Sequence, residues 1–303
     1  AIGESISRVV EFGGAKTIRA NYQGDVGPHV AKAIWGILSS GESYEEKDAL
    51  WIGAMYAKGS DAYDNDPNKK EEIDEINKKV YDKSDEEINK IYNWGRKVTL
   101  DAFEELYALL GTKFDYYFFE SEMAPIGEKI VRENLGKVFE ESDGAIVFHA
   151  EKYNPKLHTR VFINSKGLPT YETKEIGLTM TKFEKENPDI SIITTAIEQG
   201  EYMKVVQQAV SLIHPDYESR MKHITHGMMR LASGKMSSRK GNVVTGESLI
   251  QDSMDVVREK VADRELSDQE KNQISHVVGI SALKYSILKS SIGSDIIYDF
   301  DKS

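Results

Sequence analysis

Ser233-Gly234-Lys235-Met236-Ser237-Ser238-Arg239-Lys240-Gly241-Asn242-Val243-Val244 is the stretch around which the rest of the chain has to be arranged. An apolar-leaning segment, Ile224 to Leu231, runs directly into it, and a helix opens near Thr245. The charge context sharpens its reading. The chain carries 39 Lys plus Arg against 50 Asp plus Glu, a net charge of -11, yet Arg220 to Gly246 holds six Lys or Arg and no acid. A glycine-flanked cationic loop in an acidic chain suits a polyphosphate. Backbone N–H groups and mobile ammonium groups can follow charge as it moves toward a transition state. A solvated basic turn has the same composition. The order of the residues is what separates the two.

Outward from this loop, strands alternate with helices. Arg160-Val161-Phe162-Ile163 reads as a strand, Asn164 to Gly167 as a turn, and Ile190 to Ala196 as a buried strand rich in β-branched residues. A helix carrying Met203, Val206, Val210 and Ile213 follows. This alternation argues for an α/β fold built on a parallel, doubly wound sheet. Further upstream, Phe114 to Phe119 and Ala145 to Phe148 read as strands, with a helix over 127–141 between them. Downstream, Glu247 to Arg264 and Ser267 to Ser290 read as helices. Ile274, Val277, Val278, Ile280, Leu283, Ile287 and Leu288 make the apolar stripe of the second.

At the start of the chain, Ile2, Ile6, Val9 and Val10 recur at helical spacing and Gly13-Gly14 ends the run. Lys16 to Tyr22 then reads as a strand. A helix feeding a first strand is an awkward opening for such a sheet, so the reading expects further chain ahead of Ala1. Asp25 lies in the loop Gly24-Asp25-Val26-Gly27. Asp and Gly are common in turns for local hydrogen-bonding reasons, and the end of a parallel strand is also where open sheets bind ligands. Both readings stand. Between Glu42 and Lys90 there are 15 acids against 8 bases, with a break at Asp64 to Asn68. Apolar stripes at Ile73, Ile76, Val80 and Tyr81, and at Val98, Phe103, Leu106, Tyr107 and Leu110, mark this region as a helical insertion that Gly111 closes.

With 303 residues, 40% of them apolar and 29% charged, the composition is that of an ordinary globular protein. There is no cysteine, which excludes disulfides and thiolate chemistry and makes a cytoplasmic location the simpler expectation. No apolar run approaches the roughly 20 residues of a membrane span. Acidity argues against wholesale coating of nucleic acid and confines any RNA contact to local basic patches. No spacing of His, Asp or Glu suggests a protein metal site.

The order Lys235-Met236-Ser237-Ser238-Arg239-Lys240-Gly241-Asn242 resembles the second signature of class I aminoacyl-tRNA synthetases, and most closely its arginyl form. The fourth position departs from that signature: it is Ser238 rather than Lys, with Arg239 or Lys240 placed to replace the missing charge. The resemblance covers nearly the whole chain. It implies a Rossmann-like catalytic domain in two parts, 1–41 and 113–232, split by a connective insertion over 42–112. A signature loop and helical stem-contact segment then occupies 233–303. The first signature, His-Ile-Gly-His, and the anticodon-binding domain are absent from these residues.

What the resemblance implies for function is ATP-dependent activation of arginine and its transfer to tRNA(Arg), with Mg2+ accompanying the ATP. Lys235, Ser237 and Ser238 would stabilise the reacting phosphates, and His223, Gly227, Met236, Arg239 and Lys240 would contact ATP. The guanidinium of arginine is planar, permanently charged and rich in donors, so its pocket calls for carboxylate or amide oxygens and an aromatic face. Tyr171, Glu175, Gln199 and Asp25 are the residues the resemblance assigns to it. Considered alone, Tyr171 and Glu175 read more readily as a surface tyrosine and a first-turn acid, and Gln199 equally as a cap. Glu175 stands where the family carries Asp, one methylene shorter, and Tyr202 where it usually carries His. The chain is expected to be a monomer with no membrane association. Two other readings remain open: another class I synthetase, or a synthetase-like binding or regulatory protein with impaired catalysis.

Overall fold

The structure, a computed structural model, describes residues 1–231 and 245–298. The chain opens with α1 (Ile2–Phe12), β1 (Ala20–Gln23) and α2 (Pro28–Ser40), then the helices α3 (Ala49–Asn65), α4 (Pro67–Asp82) and α5 (Glu86–Leu110). Next come β2 (Tyr116–Phe119), α6 (Glu120–Glu133), β3 (Glu140–Ser142), β4 (Ala145–Phe148), β5 (Arg160–Ile163) and α7 (Tyr171–Glu186). The remainder is β6 (Ser191–Ala196), α8 (Gly200–Ile213), β7 (Met221–His226), β8 (Met229–Leu231), α9 (Gly246–Lys260), α10 (Asp268–Leu288) and β9 (Ile296–Tyr298).

The result is a mixed α/β fold in which strands far apart in sequence pair in parallel, as the alternation of elements requires. Among the described residues β1 pairs with β2, β6 with β7 and β8 with β9, all parallel, while β3, β4 and β5 form an antiparallel meander. The first strand is shorter than 16–22, because the ladder to β2 starts only where Arg19 accepts from the Asp115 and Tyr116 N–H groups. Ile192 and Ile190 of the β6 region remain exposed, so that strand is half-covered rather than buried.

Local chemistry sets the helix starts. Asp48, Asp66 and Asp85 each accept backbone N–H groups at the heads of α3, α4 and α5, and Ser267 with Glu270 forms a capping box on α10. The expected helix over 127–141 instead runs from Glu120 to Glu133. Gly127 is not a breaker there. A Cβ on it would lie 1.9 Å from the Thr173 carbonyl, and one on Gly177 2.2 Å from the Met123 carbonyl. The two glycines let α6 and α7 cross at backbone contact.

A cluster including Phe139, Phe148, Phe162, Ile176, Val206 and Val210 packs the meander between α7 and α8. Each such side chain contributes about 1.5–3 kcal/mol on full burial. A second cluster, including Ile34, Ile73, Val80 and Ile91, joins α2 to α4 and α5. Leu249, Ile250, Ile280 and Leu283 join α9 to α10 with Leu106 and Leu110 of α5 against them. The apolar stripe expected along α10 is therefore divided, since Val277, Val278 and Leu288 face outward. Val9 and Phe12 of α1, 72% and 97% exposed, are likewise uncovered. No described helix is long and apolar enough to cross a membrane.

Candidate amino-acid and nucleotide site

Parallel pairing brings strand ends together, and polar residues collect there. Gln23 lies opposite Phe119, so the loops leaving β1 and β2 emerge side by side. Asp25, in the first of them, accepts from Ser121 N at 2.9 Å, Ser121 Oγ at 2.7 Å, Tyr92 Oη at 2.9 Å and Arg96 Nε at 3.0 Å. Those donors match the roughly four lone-pair sites of a carboxylate. Asp25 thus ties the β1 loop to the head of α6 and to the second and third turns of α5, which uses most of its capacity to accept.

The α7 helix supplies the densest set of charged groups. Thr170 Oγ1 donates to the Val161 and Phe162 carbonyls and Thr173 Oγ1 to the Phe162 carbonyl, fixing the helix start on β5. With Tyr171 as the first helical residue, Tyr171 and Glu175 share one face a turn apart. Tyr171 is 53% exposed and its ring centroid lies 5.0 Å from Lys174 Nζ. Lys174 in turn meets Glu120 Oε2 at 2.7 Å in a buried ion pair. Burial acts against the Lys174 charge, but the Glu120 carboxylate and Tyr81 together outweigh it and hold the ammonium above its ordinary value. Glu172 is buried against Arg160 Nη1 at 3.3 Å.

Glu175 is different. Its carboxyl is buried and its Oε2 has no hydrogen-bond partner among the described residues. Burial pushes it up to about 7, with Lys182 opposing and Glu120 adding to the shift. Beside it the Tyr22 hydroxyl is also buried, with no partner among the described residues. That phenol is held well above its ordinary value, by burial first and then by the Glu175 and Glu120 carboxylates. The Tyr202 phenol is raised by the same causes, burial leading and Glu175 next. Tyr202 Oη donates to Gln199 Oε1 at 3.4 Å, placing Gln199 at the head of α8 on the rim of this cluster. An unsatisfied carboxylate oxygen and a phenol oxygen, both buried, form a surface that accepts hydrogen bonds. A ligand with several donors and a positive charge satisfies it.

The second strand-end pair is β6 and β7, with Ala196 opposite His226. His223 Nε2 lies 2.7 Å from Thr195 Oγ1, and burial lowers the imidazole below its ordinary value, with Lys204 adding to it. A mostly neutral ring bonded to a hydroxyl suits a contact rather than a proton carrier. Gly227 has a backbone reason to be glycine. A Cβ there would lie 2.1 Å from the Ser294 carbonyl, where the chain entering β9 passes β8. His226 Nδ1 sits 2.9 Å from the Gly227 carbonyl oxygen. Lys235, Met236, Ser237, Ser238, Arg239 and Lys240 lie outside the described residues.

Tyr22, Glu120, Lys174 and Lys182 join this cluster without having been singled out in the sequence. Glu120 had a signal, as an acid directly at the carboxyl end of a strand; the others had none that spacing could provide.

The model of the tRNA synthetases class I (R) catalytic domain matches residues 1–300. The chain belongs to that family. An arginine–tRNA ligase of Borreliella afzelii is 29% identical over 317 residues, covering 100% of this chain and 54% of that protein. One of Fusobacterium nucleatum is 32% identical over 311 residues, covering 99% and 53%. The class I (R) fold itself is matched by the arginyl-tRNA synthetase of Thermus thermophilus, with a TM-score of 0.77 at 19% identity over 99% of this chain and 56% of that one. The Plasmodium falciparum enzyme gives 0.76 at 21%, covering 99% and 50%. The chain spans about half the length of the curated relatives it matches.

Proposed function

We propose that this chain is the catalytic portion of an arginine–tRNA ligase, activating arginine with ATP and passing it to tRNA(Arg). The observation that carries the reading is Glu175: a buried carboxylate with a free oxygen, one helical turn from an exposed Tyr171 ring. A guanidinium provides the charge and donors that this arrangement lacks, and the aromatic face offers it a planar surface. Gln199, held by Tyr202, sits at the rim for the α-amino or carboxylate end of the substrate.

In the first step the arginine carboxylate attacks the α-phosphorus of ATP in line, and pyrophosphate leaves with its magnesium, which enters as part of the nucleotide substrate. Little covalent chemistry is asked of the protein, so positioning and charge stabilisation carry the rate. Lys235, Ser237 and Ser238 would bear on the leaving phosphates, Arg239 or Lys240 would supply the charge missing at position 238, and Met236, His223 and Gly227 would line the nucleotide. Asp25 would act from the side, by holding the β1 loop in place. A monomeric cytoplasmic enzyme is part of the same proposal, as is the division into a split catalytic domain and an insertion.

The test is arginine-dependent pyrophosphate exchange, with and without tRNA, alongside equilibrium titration with arginine and with citrulline, which lacks the charge. Binding of arginine well ahead of citrulline supports the reading. Equal binding of both, or exchange driven by an apolar amino acid, sinks it.

A further inference from the structure

Of the α7 charged side chains that are not exposed, two are left over by the ion pairs among the described residues. Glu172 has Arg160 and Lys174 has Glu120, whereas Glu175 Oε2 is unpartnered and Lys182 has no ion pair among the described residues. Lys182 lies seven residues beyond Glu175, about two helical turns, and so on the same face. Its ammonium is held at 3.0 Å by the hydroxyl of Ser191, the buried first residue of β6. Glu186, one turn further along α7, is engaged instead by the Tyr116 hydroxyl and lies 4.0 Å from Lys16.

The groups facing Glu175 from neighbouring elements are Glu120 of α6, Tyr22 of β1 and Tyr202 of α8. An acid and two phenols cannot neutralise a carboxylate. Lys174 is committed to Glu120. Among the described residues Lys182 is the remaining cation acting on it; burial lowers the half-buried Lys182 ammonium below its ordinary value and Glu175 opposes that, so each charge eases the ionisation of the other.

We propose that Lys182, anchored on Ser191, is a positioning residue for the amino-acid site: it is the internal counter-charge that offsets part of the burial cost of the Glu175 carboxylate while the pocket is empty. The proposal rests on the reading of Glu175 as the partner of the guanidinium. Two opposed effects follow. Lys182 helps arginine by holding the carboxylate ready, and hinders it by repelling a second cation. The first effect matters where Glu175 is partly protonated; the second is all that remains once it is fully ionised. Removing the charge therefore weakens arginine binding at low pH and leaves it equal or tighter at high pH. Simple loss of packing does not make such curves cross.

The experiment is calorimetric titration of the whole chain with arginine from pH 6 to 9, citrulline serving as the neutral control. The variants are Lys182→Gln, which retains a donor to Ser191, and Lys182→Arg, which retains the charge. In the parent, affinity falls toward tenfold per pH unit below the Glu175 midpoint. In Lys182→Gln the midpoint moves up by about one pH unit, so arginine binds about 3–10-fold more weakly near pH 6.5 and no more weakly at pH 9. Lys182→Arg restores the parent profile. Should Lys182→Gln fail to fold, Ser191→Ala, which loosens the ammonium, moves the midpoint the same way by less. A variant profile that superimposes on the parent, or lies parallel to it, overturns the role of Lys182 while leaving the arginine reading intact. A parent chain that binds arginine no better than citrulline at any pH overturns that reading itself.

Discussion

Glu175→Gln should make the empty protein more stable above neutral pH while removing its preference for arginine. The carboxyl is raised from its ordinary 4.5 to about 7, chiefly by burial. At about 1.4 kcal/mol for each pH unit, that rise is worth about 3 kcal/mol. Its sign follows from which state ionises first. Below pH 4.5 the group is protonated in both folded and unfolded chains and costs nothing. As pH rises toward 7 the unfolded chain ionises while the folded one resists, so stability falls; above 7 the loss is complete. Glutamine has no such titration. At about 2.1 cal/mol/K per residue over 303 residues, 3 kcal/mol corresponds to about 5 °C in Tm. The assay is a series of thermal melts of parent and variant from pH 5 to 8, read as the change in their difference. The other acids cancel in that comparison, as does any constant cost of leaving Lys182 without its counter-charge. Arginine affinity should drop by about 2–5 kcal/mol in the variant, the usual cost of losing a buried charged partner. Parallel melting curves across the range would refute the reasoning, because they would mean that Glu175 carries no ionisation penalty.

Lys235→Ala should slow adenylate formation by one to three orders of magnitude and leave arginine binding nearly unchanged, since one lost charged contact to a transition state costs about 2.7–4 kcal/mol in comparable sites. Pyrophosphate exchange equal to the parent's would remove the loop from the chemistry. Gly127→Ala should destabilise the fold by about 1–3 kcal/mol or more, because its Cβ has no room against the Thr173 carbonyl and α6 must move off α7. Urea unfolding measures it, and a midpoint within error of the parent's would show that the crossing is loose.

How much of this was legible in advance depends on how local the controlling chemistry is. Helix heads at Asp48, Asp66 and Asp85 are set within three residues of the cap. The parallel pairing followed from alternating helical and strand periodicity, and the shared face of Tyr171 and Glu175 from helical geometry alone. Where a residue answers to something distant, the same signals misled. The helix was expected to begin at Gly127 rather than to run through it, because a glycine's neighbours in sequence do not reveal that another backbone passes within contact distance. The α10 stripe looked continuous because hydrophobic spacing identifies an apolar residue but not whether anything covers it. Asp25 was open between turn and ligand until Ser121, Tyr92 and Arg96, roughly 70 to 95 positions away in the chain, converged on it.

The amino-acid site shows the division most clearly. Sequence by itself determined which side chains carry charge and which of them ride on one helical face. Only the tertiary structure decided which charges are paired: Glu172 with Arg160, Lys174 with Glu120, and Glu175 with none among the described residues within reach of a salt bridge. The physical reason is desolvation. A carboxylate's cost is set by the water it has lost and the partners it has found, and both belong to elements brought together from β1, α6, α7 and α8 rather than to the residues beside it in the chain.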